Sequence, residues 1–198
     1  MSALLQISRL IDAFTARVGR YAAWLIMAAV LISALNAVVR KLFDMSSNAY
    51  LEVQWYLFSA AFLLAAGYTL LRQEHVRIDV VIGRFSKRTQ IAIEAACLVL
   101  FLFPFCLTVI YLVWPLVARA YLSGEMSQNA GGLIRWPVYA MVPLGFALLL
   151  LQGVSELIKR IGFLMGRCDD PTRKLQAKTA EEELAEFVRA QAAGGPKP

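Results

Sequence analysis

The sequence predicts an all-α integral membrane protein with four transmembrane helices and both termini on the cytoplasmic side. Three observations carry this expectation. The 198 residues are 59% hydrophobic and only 17% charged, with a mean hydropathy of +0.59, which leaves too little polar surface to cover a soluble core. The apolar residues gather into four charge-free blocks, 21–39, 53–71, 95–118 and 136–155, of 19, 19, 24 and 20 residues. The basic residues that flank these blocks sort by loop, with eleven on one side and four on the other.

Each block, at 1.5 Å per helical residue, reaches about 28 to 36 Å and so matches a hydrocarbon core of about 30 Å. Inside lipid the backbone must satisfy its own hydrogen bonds, so the blocks are helices. Their direction follows from the flanks. Arg9, Arg17 and Arg20 precede the first span, Arg72, Arg77, Arg84, Lys87 and Arg88 follow the second, and Lys159, Arg160 and Arg167 follow the fourth. The opposite loops hold Arg40, Lys41, Arg119 and Arg135. The richer set marks the cytoplasmic side. Tyr50, Trp55, Tyr56, Tyr111, Trp114, Tyr121, Trp136 and Tyr139 gather at the other ends of spans two, three and four, as amphipathic rings do at a headgroup layer. The first span also admits a reading as a signal peptide, but 19 apolar residues behind a 20-residue leader exceed the usual signal core of about 7–15 residues.

Outside the spans, Leu4, Ile7, Ile11, Phe14 and Val18 recur at helical spacing, with Arg9, Asp12 and Arg17 between them. Residues 1–20 are therefore expected as an amphipathic helix lying on the inner leaflet or packing on a partner. Ile78, Val81, Ile82 and Phe85 repeat this design between spans two and three. The tail, residues 166–198, turns polar at Asp169-Asp170-Pro171 and reads as a short exposed helix over 178–192.

Several function classes are excluded. The net charge of +6 comes from the membrane flanks and forms no basic stripe interleaved with aromatics, so nucleic acid is not a partner. Cys97 and Cys106 stand nine residues apart on one helix, about 13 Å along its axis, too far for a disulfide. A single histidine, His75, rules out bis-histidine haem ligation, and no spacing suggests zinc or any other cofactor. There is no phosphate loop and no carboxylate pair beside a nucleophile, so the chain is not read as an enzyme.

Charged and polar groups near the spans are the remaining candidates. Glu52 falls in the first turn of span two, behind Ser46-Ser47-Asn48, where the helix dipole favours a carboxylate and a partner subunit could be contacted. Gln152 and Glu156 share a face of span four, and Glu156 has Lys159 and Arg160 at i+3 and i+4, a spacing for local ion pairs. Glu94 opens span three near Lys87 and Arg88. The polar run from Arg72 to Asp79 suits anchoring to the inner membrane surface, with Arg72 and Arg77 to lipid phosphates and Glu74 and Asp79 to basic groups. Ser59, Ala60, Ala61, Ala65, Ala66 and Gly67 give span two a small-residue surface for close helix approach. No span carries a charge at mid-depth and no internal repeat is visible, which argues against an ion-coupling site within this chain.

Three stretches together resemble one family. They are Glu52 through Trp55, then Glu74-His75-Val76-Arg77-Ile78-Asp79, then Ser127-Gln128-Asn129-Ala130-Gly131-Gly132-Leu133-Ile134-Arg135-Trp136-Pro137 with Pro143-Leu144-Gly145-Phe146 behind it. Over roughly residues 15 to 165 the chain resembles the small permease subunit of TRAP transporters, the DctQ family. That resemblance implies a tripartite importer of carboxylate-like organic anions in the bacterial inner membrane. Its other parts would be a periplasmic substrate-binding protein and a large multi-span permease subunit that carries the substrate and sodium sites. The small subunit would brace the large one and help dock the binding protein. Arg40, Lys41, Arg119 and Arg135, on the outward loops, are the docking candidates. Glu52, Trp55, Arg72, Glu74, His75, Arg77, Asp79, Gln152 and Glu156 are candidates for subunit contacts or anchoring to membrane lipids. The alternatives are a self-sufficient homo-oligomeric transporter or channel, with Asn36, Ser59, Thr69 and Gln152 as its polar lining, and a membrane redox subunit.

Overall fold

A computed structural model describes residues 2–44, 47–73 and 85–168. The expected interfacial helix between spans two and three, and the tail beyond Cys168, lie outside the described residues. The helices are α1 (Ser2–Phe43), α2 (Asn48–Arg72), α3 (Lys87–Cys97), α4 (Phe103–Ser123) and α5 (Trp136–Leu164), with a π-helical turn (Leu98–Leu102) joining α3 to α4. Among the described residues four stretches are long and apolar enough to cross a membrane: Leu4–Phe43, Asn48–Arg72, Lys87–Ser123 and Trp136–Leu164. Each contains one of the apolar blocks and runs beyond it, because a helix does not end where its charge-free segment ends.

The N-terminal segment differs from its expectation. In place of a separate amphipathic helix over residues 1–20, α1 runs unbroken for 42 residues into the first span, about 63 Å. No proline or paired glycine interrupts it, and the single Gly19 costs too little to end it. Within the chain the helix packs through its small residues and not through the apolar stripe. Leu4, Ile7, Leu10 and Phe14 are exposed, whereas Ser8, Thr15, Ala22 and Ala29, spaced seven apart, are buried. Seven residues make nearly two turns, so these small side chains form one seam along which other helices approach closely.

The core of the bundle is α5. It packs against α1 and α2 on one hand and against α3, the π turn and α4 on the other. A third of its span window is buried, 33% against 11–17% for the others. The small-residue surface of α2 receives it: Ala60, Ala61 and Gly67 are buried there. A Cβ added at Gly145 would stand 2.7 Å from Leu63 Cβ and 2.9 Å from the Leu63 carbonyl oxygen, so backbone rather than flexible side chain limits the approach. Gly145→Ala is therefore expected to push α2 and α5 apart and cost about 1–3 kcal/mol. A thermal midpoint in mild detergent equal to that of the wild type would show that the two helices do not meet there.

The π turn has a local cause. Pro104 has no N–H to give to the preceding helical turn, and its ring crowds the carbonyl four residues back. The ladder widens, and the Phe103 N–H reaches Leu98 O five residues back.

Candidate functional site

Two polar clusters hold the helices together, about 30 Å apart by the 20 residues of α5 between them. The first lies where α2 begins. Asn48, Glu52 and Tyr56, four residues apart, line one face of its first turns and reach the segment between α4 and α5. That segment is a small hairpin. Gly124 closes α4 with a φ of +62° that favours glycine, Met126 and Ile134 bridge antiparallel, Ser127 N–H donates to Leu133 O at 2.9 Å, and Arg135 N–H donates to Glu125 O at 3.0 Å. Arg135 Nη1 and Glu125 Oε1 pair at 3.3 Å across its base.

Glu52 plugs this hairpin. Its Oε1 accepts from Asn129 Nδ2 at 2.8 Å and from Ser127 Oγ, and its Oε2 accepts from the Leu133 N–H at 2.7 Å. Asn48 Nδ2 donates to Ala130 O at 3.2 Å and the Tyr56 hydroxyl to Ile134 O at 3.1 Å. Only 7% of Glu52 is exposed, so the carboxylate exchanges water for three donors that its charge strengthens. Gly132 lets the chain turn beside Ser127, since a Cβ there would stand 2.5 Å from Ser127 Cβ.

The second cluster lies where α1, α3 and the end of α5 meet. Ser8 and Ser155 share a hydroxyl contact at 2.8 Å, and Ser155 Oγ donates to Asp12 Oδ1 at 2.6 Å. Gln152 Nε2 donates to Asp12 Oδ1 at 2.9 Å, and Lys159 Nζ pairs with Asp12 Oδ2 at 3.1 Å and with Glu156. Arg160 bonds Glu156 at 2.5 Å and Glu94 at 3.0 Å, and so ties α5 to α3. Gln152, Ser155 and Glu156 are wholly buried and Arg160 nearly so. Three carboxylates and two cations thus share one network, in which the buried charges of Glu156 and Arg160 each have an opposite partner. Arg88 adds a bond to Leu164 O at 2.9 Å, capping the last turn of α5.

In both clusters the serine hydroxyls, Ser127 and Ser155, are donors to carboxylates that other groups already hold. Among the described residues no group of three or more His, Cys, Asp or Glu side chains is arranged to hold a metal ion. What both clusters do is fix one segment against another. A family profile described as the DctQ component of tripartite ATP-independent periplasmic transporters matches residues 29–162. The chain belongs to the DctQ family. No curated protein and no solved structure matches it. DctQ is a transporter component family and not an enzyme family.

In this DctQ chain the residues singled out from sequence fall into distinct settings. Glu52 does not serve the dipole of its own helix. It sits one turn further in and binds the Ser127–Leu133 segment, so two of the three family-like stretches form one contact. Glu156 makes the expected i+3 and i+4 pairs, and Gln152 lies beside it. Glu94 also takes Arg160 from α5, a partner its local sequence does not name. Trp55 is exposed on a groove between α1 and α2, and Arg72 lies over the Tyr68 ring at 5.7 Å. Arg40, Lys41 and Arg119 are exposed at helix ends, while Arg135 is drawn into the hairpin by Glu125. Glu74, His75, Arg77 and Asp79 lie outside the described residues.

Sequence reading passed over Ser8 and Ser155, and it named Asp12, Asn48, Ser127 and Asn129 without the partners that they take here. A signal for the first group did exist. Ser8 and Asp12 repeat at i+4 on α1, as Ser155 and Lys159 do on α5, and two such polar strips beside apolar spans need each other.

Proposed function

We propose that this DctQ subunit braces the large permease subunit of an importer of carboxylate-like organic anions in the bacterial cytoplasmic membrane, and helps dock a periplasmic binding protein. Both termini then face the cytoplasm, as the charge of the short flanks requires. Substrate and any coupling sodium bind in the large subunit. One observation supports this above others: Glu52 at one end of the bundle, and Asp12, Glu94, Glu156, Lys159 and Arg160 at the other, are engaged in holding segments together, and no charge stands at mid-depth between them. A transport path for an anion needs compensating polar groups along its length, and a brace does not.

With Arg135 paired to Glu125, the docking role on the outer face rests on Arg40, Lys41 and Arg119. The test is reconstitution. Purification of the intact complex should bring a much larger membrane protein with this chain, and deleting the chain should abolish uptake. Arg119→Glu should lower uptake severalfold with assembly unchanged, through a slower encounter with the binding protein. Proteoliposomes that accumulate an organic anion with this chain alone would overturn the bracing role in favour of a homo-oligomeric transporter. Uptake unchanged by Arg119→Glu would remove that residue from docking.

A further inference from the structure

Beside the second cluster, α1 and the end of α5 enclose a recess that bracing does not require. Leu5, Ser8, Arg9, Asp12, Lys159 and Arg167 line it, together with the backbone turn at Gly166 and Cys168, and its volume is about 540 Å³. Three of these side chains are basic and one is acidic. The acid is already satisfied, since Asp12 accepts from Ser155, Gln152 and Lys159. Arg9 and Arg167 are exposed. Lys159 is likewise paired, with Asp12 and Glu156, so the positive charge left over in the recess is that of Arg9 and Arg167, above a floor held by the Ser8–Ser155 and Asp12–Lys159 contacts.

Its depth and surroundings decide what anion fits. Lys159 stands 23 residues along α5 from Trp136, about 35 Å, just past the length that spans a hydrocarbon core. Arg167 follows within the headgroup layer. On its side away from the recess the same stretch of α1 exposes Leu4, Ile7, Leu10 and Phe14, an apolar surface that sets this part of the helix against lipid. A guanidinium offers paired N–H donors that match phosphate oxygens. We propose that this recess binds the phosphate of an anionic phospholipid, with Arg9 and Arg167 as its ligands. Bound there, a lipid would join α1 to α5 at the membrane surface and add to the bracing contacts from outside the chain.

The experiment is native mass spectrometry of the full chain released from mild detergent after incubation with phosphatidylglycerol or with zwitterionic phosphatidylcholine. The expected result is one phosphatidylglycerol retained in clear preference to phosphatidylcholine. Arg9→Gln with Arg167→Gln should lower that retention about tenfold or more, two basic residues at a membrane surface being removed. Arg119→Gln, at the opposite end of the bundle, should leave it unchanged. Equal retention of the two lipids, or equal loss in Arg119→Gln, overturns the proposal. Displacement of the lipid by soluble glycerol phosphate would overturn its lipid source and make the recess a site for free phosphate esters. The wild-type comparison of the two lipids stands even if the double variant does not fold.

Discussion

Glu156→Ala is expected to destabilise the bundle by about 3 kcal/mol, the low end for a broken buried pair, because it removes the carboxylate that Lys159 and Arg160 share and leaves each with one partner, Asp12 and Glu94. Glu156 is wholly buried, so solvent cannot move in to replace the lost charge. The loss is large because a buried ion pair is costly to break, not because it contributes much net stability when whole. A double-mutant cycle separates these two effects. Arg160→Ala alone leaves Glu156 with Lys159 and strands Glu94 from its partner on α5, and it too is expected to cost several kcal/mol by about the same rule. The pair Glu156→Ala with Arg160→Ala should cost less than the sum of the singles by at least about 1 kcal/mol. Reversible unfolding in mixed detergent micelles measures all three. Strict additivity would mean that the two side chains do not interact. Loss of assembly with the large subunit should track the loss of stability, since the cluster holds α1 and α3 to α5.

Glu52→Gln carries the second large effect, at the other end of the molecule. The glutamine keeps the size of the side chain but turns one acceptor oxygen into a donor that faces donors. Ser127 Oγ, Asn129 Nδ2 and the Leu133 N–H all point at the carboxylate, so at least one of these bonds must break and the rest lose the benefit of its charge. A cost of about 2–4 kcal/mol is expected at the hairpin. It should appear locally, as faster amide exchange over residues 125–135, with little change in the exchange of α5. Glu52→Ala should have a similar effect. Tyr56→Phe, which removes one exposed bond to Ile134 O, should have a far smaller one. Unaltered exchange in Glu52→Gln would show that the hairpin holds itself. If the outward loops meet a binding protein, Glu52→Gln should also lower uptake while the subunits still assemble, because a loosened hairpin must be ordered again on each encounter.

These two sites show where sequence reading succeeds and where it stops. The pairs of Glu156 with Lys159 and Arg160 were legible because helical spacing alone brings i+3 and i+4 together. The role of Glu52 was not. At the start of an apolar helix a carboxylate has a local explanation in the dipole, and nothing nearby announces that its partners are 75 to 81 residues further on. The segment 127–137 stood out as a pattern, but a pattern does not say which side chain it is built to receive. Asp12 was named without its partners for a related reason. It read as one of the polar residues between the apolar positions of an amphipathic helix, whereas its partners lie on α5, 140 to 147 residues away.

The four spans, their helical form and the order in which they come follow from the sequence by itself. Hydrocarbon accepts only segments that satisfy their own backbone, and such segments must be long, apolar and continuous. That constraint acts on each stretch of chain separately, so each stretch reveals it. The joining of α1, α3 and α5 through Asp12, Glu94, Glu156, Lys159 and Arg160, and of α2 to the hairpin through Glu52, was decided by tertiary structure alone. Polar groups at a membrane edge are stable facing water or facing one another, and only the packing of Gly145, Gly67 and the small seam of α1 brings the helices close enough for the second.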